Sequence, residues 1–295
     1  MTLREKIETK NALLFVSPWI IGFLAFVAYP ILASLYFSFC DYSVLSPPKW
    51  VGLYNYAEIL RTPPAWRAVI RTFAFSLVAL PLSLLASLAL ALLLEKRSRG
   101  VSVFRTIFFV PALVPQVAVA ALLLWMFATD GAVNRVLTGV GLDAVPWLSR
   151  GMILVTLLLM GLWTVGHSVV IFVAGLHEVP AELYESAQID GASYLRRVWH
   201  ISVPMISPVI LFNLVMGIIA ALGQFTVPYF IASGNTQQEF GDAANFIATE
   251  INQQAMQHLR MGYASALSWV LLVAVVVLTA LVLRMSTRVV HYQDE

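Results

Sequence analysis

The sequence predicts an all-α integral membrane protein with six transmembrane helices. Three observations lead there. Of the 295 residues, 60% are hydrophobic and 12% charged, with a mean hydropathy of +0.82, whereas soluble domains carry about 25% charged residues. The uncharged residues gather into six long runs, each beyond the ~20 residues a helix needs to cross a bilayer. Inside the runs the apolar residues are continuous, not alternating, which excludes a transmembrane barrel. This composition also excludes a soluble enzyme, a disordered tail and a fibrous repeat. A net charge of +2 gives no reason to expect nucleic acid. The single cysteine, Cys40, rules out an intramolecular disulfide.

Taken in order, residues 1–11 form an N-terminal tail and the first span covers 12–39. Its apolar run exceeds the ~7–15 residues of a signal-peptide core, so it reads as a retained helix. Pro30 marks the place where it would break. Residues 41–69 hold Pro47, Pro48, Trp50, Pro63, Pro64 and Trp66, the composition of an ordered external cap. Spans two, three and four follow at 70–94, 104–128 and 152–176. A compact basic turn with Lys96, Arg97 and Arg99 separates the second from the third. Residues 129–151, with Gly131, Asn134, Gly139 and Gly141, read as a short external connection. Spans five and six cover 204–231 and 263–284. Between them lies a polar segment with a helix over 243–259, and residues 285–295 form a tail. Pro81, Pro111, Pro115 and Pro228 are the expected kinks. With the N-terminus inside, eleven of the 18 Lys and Arg residues are cytoplasmic. The positive-inside rule therefore predicts both termini in the cytoplasm. Lys49, Arg61, Arg67 and Arg71, in and beside the first external loop, run against that bias.

The loop over 178–203 carries the most specific signal. Pro180 suits a first helical turn. Glu182 and Glu185 follow near the positive end of the helix dipole. Gly191 stands where a helix ends in a left-handed residue. A second short helix then carries Tyr194, Leu195, Val198 and Trp199, and Pro204 opens span five. On this reading alone the first helix is equally a membrane-surface helix or a protein-docking helix.

The spacing Glu185-Ser186-Ala187, three residues, Gly191, nine residues, Ile201-Ser202-Val203-Pro204 resembles the EAA loop of ABC importer permeases. The family pattern has alanine at the place of Ser186 and leucine at that of Val203; the gaps are the same. Tyr184 through Ser193 is similar to the carbohydrate-uptake branch. So are Pro18, Tyr29-Pro30, Ser38 and Asp41-Tyr42, then Gly52-Leu53-Tyr54-Asn55-Tyr56, Arg105 to Pro111, Gly131 with Asn134, and Gly262 to Ser268. A departure falls at Ser233-Gly234-Asn235-Thr236, where the family often has a Gly-Gly-Pro turn.

The resemblance implies the type I ABC importer permease fold and one half of a transmembrane pathway in a bacterial or archaeal cell membrane. It implies that Tyr184, Glu185, Ser186, Ala187, Asp190, Gly191, Ile201 and Pro204 couple the permease to a cytoplasmic ATPase. The expected partners are two ATPase subunits, which carry ATP and Mg, a second permease subunit, and an extracytoplasmic sugar-binding protein. The N-terminal stretch resembles the longer of two paired permeases, which favours a heterodimer.

The residues themselves agree with a chain that transports and does not hydrolyse. No Gly-x-x-x-x-Gly-Lys-Ser/Thr loop is present to hold ATP. No His/Cys spacing suggests a metal, and no Ser-His-Asp set suggests hydrolysis. A sugar path calls for uncharged polar groups inside apolar spans. His167 is the only histidine within a span, with Ser168 beside it; Asn213 and Gln224 are the amides of span five, and Gln116 that of span three. His167, Ser168, Gln224 and Asn213 are the expected substrate contacts, because the spans flanking the EAA loop line the pathway in this family. The other reading of the amides is that they bond across helix contacts. Two rival functions remain at this point: an ABC permease for another small solute, and a secondary transporter acting alone. The second class usually shows intramembrane carboxylates or internal repeats; here all Asp and Glu lie outside the spans.

Overall fold

A computed structural model describes residues 3–95, 100–233 and 241–286. The basic turn at Lys96, Arg97 and Arg99, the stretch Gly234-Asn235-Thr236 and the tail from 287 lie outside the described residues. Four helices are long and apolar enough to cross a membrane: Lys10–Ser38, Pro63–Leu94, Ser207–Ile231 and Met261–Ser286. Two bent pairs bring the number to six. Val103–Leu113 and Gln116–Met126 meet at 105°, and Ile153–Trp163 and Gly166–His177 meet at 46°. The apolar surface faces outward: Phe15 is 89% and Phe26 82% exposed, as expected where hydrocarbon and not water is the solvent.

The chain divides into two compact units. The first comprises residues up to Trp66 with Glu250–Val270. Its first helix does not break at Pro30. It widens into a π-turn over Leu24–Ala28 and resumes at Tyr29. Proline has no N–H and its ring crowds the carbonyl four residues back, here that of Phe26. One wide turn at that carbonyl relieves the clash and keeps the helix continuous.

After Ser38 the chain forms an antiparallel hairpin, Cys40–Ser43 against Ser46–Trp50, with Cys40 opposite Trp50 and Asp41 opposite Lys49. Asn55, 4% exposed, donates both to Ser38 O and to Cys40 O at 2.9 Å. It thereby satisfies carbonyls that the end of the first helix leaves without partners. Tyr56 Oη donates to Ser38 Oγ at 2.8 Å. Arg260 pairs with both carboxylate oxygens of Glu58, at 2.7 and 2.6 Å, and lies 4.5 Å from the centroid of the Tyr263 ring. Ile59, Ala65, Tyr263, Ala266 and Leu267 form the core of this unit. Two of the stretches that resemble sugar permeases, Gly52–Tyr56 and Gly262–Ser268, thus supply its polar staples and its packing.

The second unit comprises Arg67–Thr249 and the chain from Leu271. One of its cores gathers Phe75, Leu123, Phe127, Ile153, Leu157 and Phe246; the other gathers Leu94, Val169, Phe172, Leu176 and Ile206. Thr72 Oγ1 accepts from Ile247 N at 2.9 Å, and Arg71 Nη1 donates to Asn245 O at 2.9 Å. The helix expected over 243–259 is shorter: Ile247–Asn252, followed by a π-turn at Gln253–Gln257. Asn134 organises the connection between spans three and four. Its amide donates to Thr129 O and Val145 O, and its Oδ1 accepts from Val145 N and Trp147 Nε1, all at 3.0 Å.

Candidate functional site

The single helices expected over 104–128 and 152–176 are each replaced by two. The first break has a sequence cause. Pro115 disfavours helical geometry at the residue before it, and Val114 is extended at φ −77°, ψ 137°. The second has a packing cause. Gly166 opens the second half of its span, and a Cβ there would overlap the carbonyl oxygen of Phe108. Thr164 turns its hydroxyl back to Gly161 O at 3.0 Å, closing the first half. Span five is also interrupted, between Leu222 and Thr226, after Gly223 N bonds Ile219 O at 3.1 Å.

All three breaks border one cavity of about 720 Å³. Val114 and Gln116 line it from the first, Thr164, Val165, His167 and Ser168 from the second, and Gly223, Gln224, Phe225 and Thr226 from the third. A broken helix leaves backbone N–H and C=O groups without partners. Within a bilayer such backbone is tolerated only where it is buried in protein or lines a polar cavity. The new helices starting at Gln116 and Gly166 have no side-chain N-cap.

The four substrate residues expected from the sequence, His167, Ser168, Asn213 and Gln224, all line this space. His167 is exposed, while Ser168 and Gln224 are half-buried. Asn213 is 4% exposed and its Nδ2 donates to Val209 O one turn back at 3.0 Å, so part of its hydrogen-bonding capacity is already used. Gln116 Oε1 accepts from Thr226 Oγ1 at 3.3 Å, which agrees with amides that bond across helix contacts. None of the lining residues is Asp, Glu, Lys or Arg. Sequence reasoning missed Phe225, Thr226, Ser83 and Ser87 as lining residues. The run Gly223-Gln224-Phe225-Thr226 was the available signal, since a glycine followed by polar residues interrupts an otherwise apolar span.

At the other end of span four, Ala181–Ile189 forms a helix and Tyr194–Arg197 a second short one. Gly191 between them has φ +76°, the left-handed region open to glycine. Ala192 N bonds Ala187 O at 2.9 Å and Gly191 N bonds Gln188 O at 3.1 Å. These two bonds make a Schellman motif, which ends the helix and turns the chain. Glu182, Leu183, Glu185, Ser186, Gln188, Ile189 and Asp190 are exposed, with Ile189 at 87%. Ala187 is half-buried. Tyr184 is turned the other way. Its ring packs against the core that holds Leu176, Val179 and Ile206. Burial raises its phenol above the usual value near 10, the charge of Glu95 adding to the effect and the Ser202 hydrogen bond and Arg197 opposing it. Ile201 packs on the same core. Pro204 lies in the short helix Val203–Met205, after a π-turn over Val198–Ser202.

Six apolar crossings, a charge-free cavity at their breaks and an exposed helical elbow define a multi-pass membrane permease. The chain belongs to the family described as binding-protein-dependent transport system inner membrane component, which residues 79–291 match. It is 37% identical to the probable ABC transporter permease protein YesP of Bacillus subtilis (strain 168), over 95% of this chain and 92% of that one. It is 31% identical to the lactose transport system permease protein LacF of Rhizobium radiobacter, over 92% of each. Among solved structures it is similar to a bacterial ABC transporter involved in the import of the acidic polysaccharide alginate. That match has a TM-score of 0.83 and 25% identity, and covers 98% of this chain and 100% of the other. The six-crossing fold is therefore that of an ABC importer permease.

Proposed function

We propose that this chain is one of two permease subunits of an ATP-driven sugar importer. A soluble binding protein outside the membrane delivers the sugar. Two ATPase subunits inside carry the ATP and Mg, and the elbow around Gly191 docks on one of them through Glu185, Ser186, Ala187 and the exposed residues beside them. The second permease completes the pathway, and both termini lie in the cytoplasm, as the basic-residue bias favours.

The observation that carries this reading is the cavity: its mainly apolar wall carries a few uncharged polar groups, and it is bordered by helix breaks in three spans. Hydroxyl-rich substrates are held by uncharged donors and acceptors, which His167, Ser168 and Gln224 supply. The lactose relative and the alginate transporter represent an uncharged and an acidic substrate. The absence of Lys and Arg from the lining favours the uncharged class for this chain. A secondary transporter coupled to ions would need intramembrane carboxylates, and the lining holds none.

The test is to express the chain with a candidate second permease, ATPase and binding protein from the same genome, and to assay purified complexes in liposomes. ATP-dependent uptake of a neutral oligosaccharide supports the reading. Complexes that assemble without an ATPase, or uptake that is driven by an ion gradient alone, overturn it.

A further inference from the structure

Tyr184 is the polar residue of the helix Ala181–Ile189 that faces inward, and its Oη lies 2.9 Å from Ser202 Oγ. Ser202 is 2% exposed and closes the π-turn Val198–Ser202 that leads to Pro204. The carbonyl Pro204 crowds, four residues back, is that of His200, inside the wide turn. The backbone O of Ser202 accepts from Ile206 N at 3.0 Å. Ile206 is 1% exposed and precedes the helix Ser207–Leu222, which contributes Phe212, Asn213, Met216 and Gly217 to the cavity wall. Ser202 is thus bonded on one side to the exposed helix and on the other to the start of span five.

We infer that Tyr184 is a positioning residue for transport: its hydrogen bond to Ser202 ties the docking helix to the wide turn, so that displacement of that helix is passed to span five and the cavity. The inference rests on the coupling reading above. Its physical basis is the difference between the two ends of the link. The helix end is braced by the Schellman motif at Gly191, so it moves as one piece. The π-turn departs from the regular i to i−4 ladder and is the compliant element, of the kind found at functional sites. Without a tie at Ser202, motion of the helix would be absorbed in that turn before it reached span five. Tyr184 itself makes no contact with substrate.

The experiment uses the full complex in liposomes, with Tyr184→Phe, Ser202→Ala, the double variant and Ser202→Thr. Assembly with the ATPase, thermal midpoint at neutral pH, ATP hydrolysis and uptake are measured on each. The expected result is unchanged assembly and a midpoint lowered by no more than one lost hydrogen bond accounts for, with sugar taken up per ATP reduced roughly three- to tenfold in each single variant, the range of one hydrogen bond. The double variant should be no worse than either single one, because both remove the same bond. Ser202→Thr keeps the hydroxyl and should restore coupling. Wild-type uptake per ATP in Tyr184→Phe and Ser202→Ala overturns the inference and leaves the docking reading standing. Loss of the ATPase from Tyr184→Phe complexes also overturns it, because Tyr184 would then be a docking contact. If the wild-type complex itself carries no ATPase, the docking reading falls and this inference with it.

Discussion

Gly166 lies against the backbone carbonyl of Phe108 so closely that a Cβ on it would overlap the oxygen. This contact holds the helix that begins with Gly166, His167 and Ser168 beside the helix Val101–Leu113, and so sets one wall of the cavity. A methyl group there forces a backbone shift, because backbone cannot rotate away as a side chain can. Gly166→Ala is expected to destabilise by about 1–3 kcal/mol and to abolish uptake. Gly161, whose Cβ would meet nothing within 4 Å, is the control: Gly161→Ala should hold or raise the thermal midpoint, since alanine is the better helix former. Equal losses in both would disprove the packing argument.

Gly191 makes a graded prediction. Its φ of +76° strains any residue with a Cβ by roughly 1–2 kcal/mol, asparagine least. Uptake should fall in the order Gly, Asn, Ala, Val, with the protein still in the membrane at wild-type amount. Gly191→Pro should be worst, because it also removes the N–H that bonds Gln188 O. A valine variant that transports normally would show that the elbow tolerates another shape.

His167 and Gln224 should act on substrate and not on stability. Each variant, His167→Ala or Gln224→Ala, is expected to weaken uptake roughly three- to tenfold per lost hydrogen bond, at unchanged expression and midpoint. Asn213→Ala should act less on uptake, since its Nδ2 is already bonded to Val209 O. Unaltered uptake kinetics in both His167→Ala and Gln224→Ala would remove them from the pathway.

Asn134 is a purely structural prediction. Asn134→Ala removes the side-chain hydrogen bonds that hold the connection between spans three and four and leaves backbone groups of Thr129 and Val145 without that partner. Val145 and Trp147 are half-buried, and a buried group left unsatisfied costs about 1–3 kcal/mol. The thermal midpoint should fall sharply, and detergent-solubilised protein should aggregate earlier on heating. Asn134→Asp should be intermediate, because it keeps the acceptor for Trp147 and loses the donors.

The elbow should also respond to alkali. Burial raises the phenols of Tyr184 and Tyr194 above the ordinary tyrosine value near 10, with the charge of Glu95 adding to both. The folded state therefore prefers the protonated phenols. The stability they contribute is complete below pH about 10 and is lost as the pH rises through the higher folded values. Midpoints measured from pH 8 to 11 should fall less steeply in Tyr184→Phe than in wild type. Identical slopes would show that Tyr184 does not control the alkaline response.

Much of the elbow was legible because its signals are local. Pro180, the acidic first turn and Gly191 specify a helix start and a left-handed stop without reference to the rest of the chain. The inward turn of Tyr184 was not legible, because nothing in residues 181–189 reveals that Ser202 lies beside it. At the proline positions the sequence marked the places, and the structure sorted the outcomes. Pro30 and Pro204 each follow a π-turn that preserves the helix, and Pro81 stays within a continuous one. Pro115 breaks its span by 105°. The sharp bend came where the residue before proline is extended.

By itself the sequence determined that this chain crosses a membrane six times, that its spans hold no Asp, Glu or Lys, and that a glycine elbow interrupts the loop before span five. Hydropathy, charge and turn chemistry are properties of neighbouring residues, so they can be read along the chain. Only the tertiary structure decided that span four breaks at Gly166, that the breaks of spans three, four and five border one cavity, and that Gln116, His167 and Gln224 share it. Those outcomes depend on contacts such as Gly166 against Phe108, between residues on different spans. At Gly166 close packing through space determines where the helix stops, and periodicity carries no trace of it.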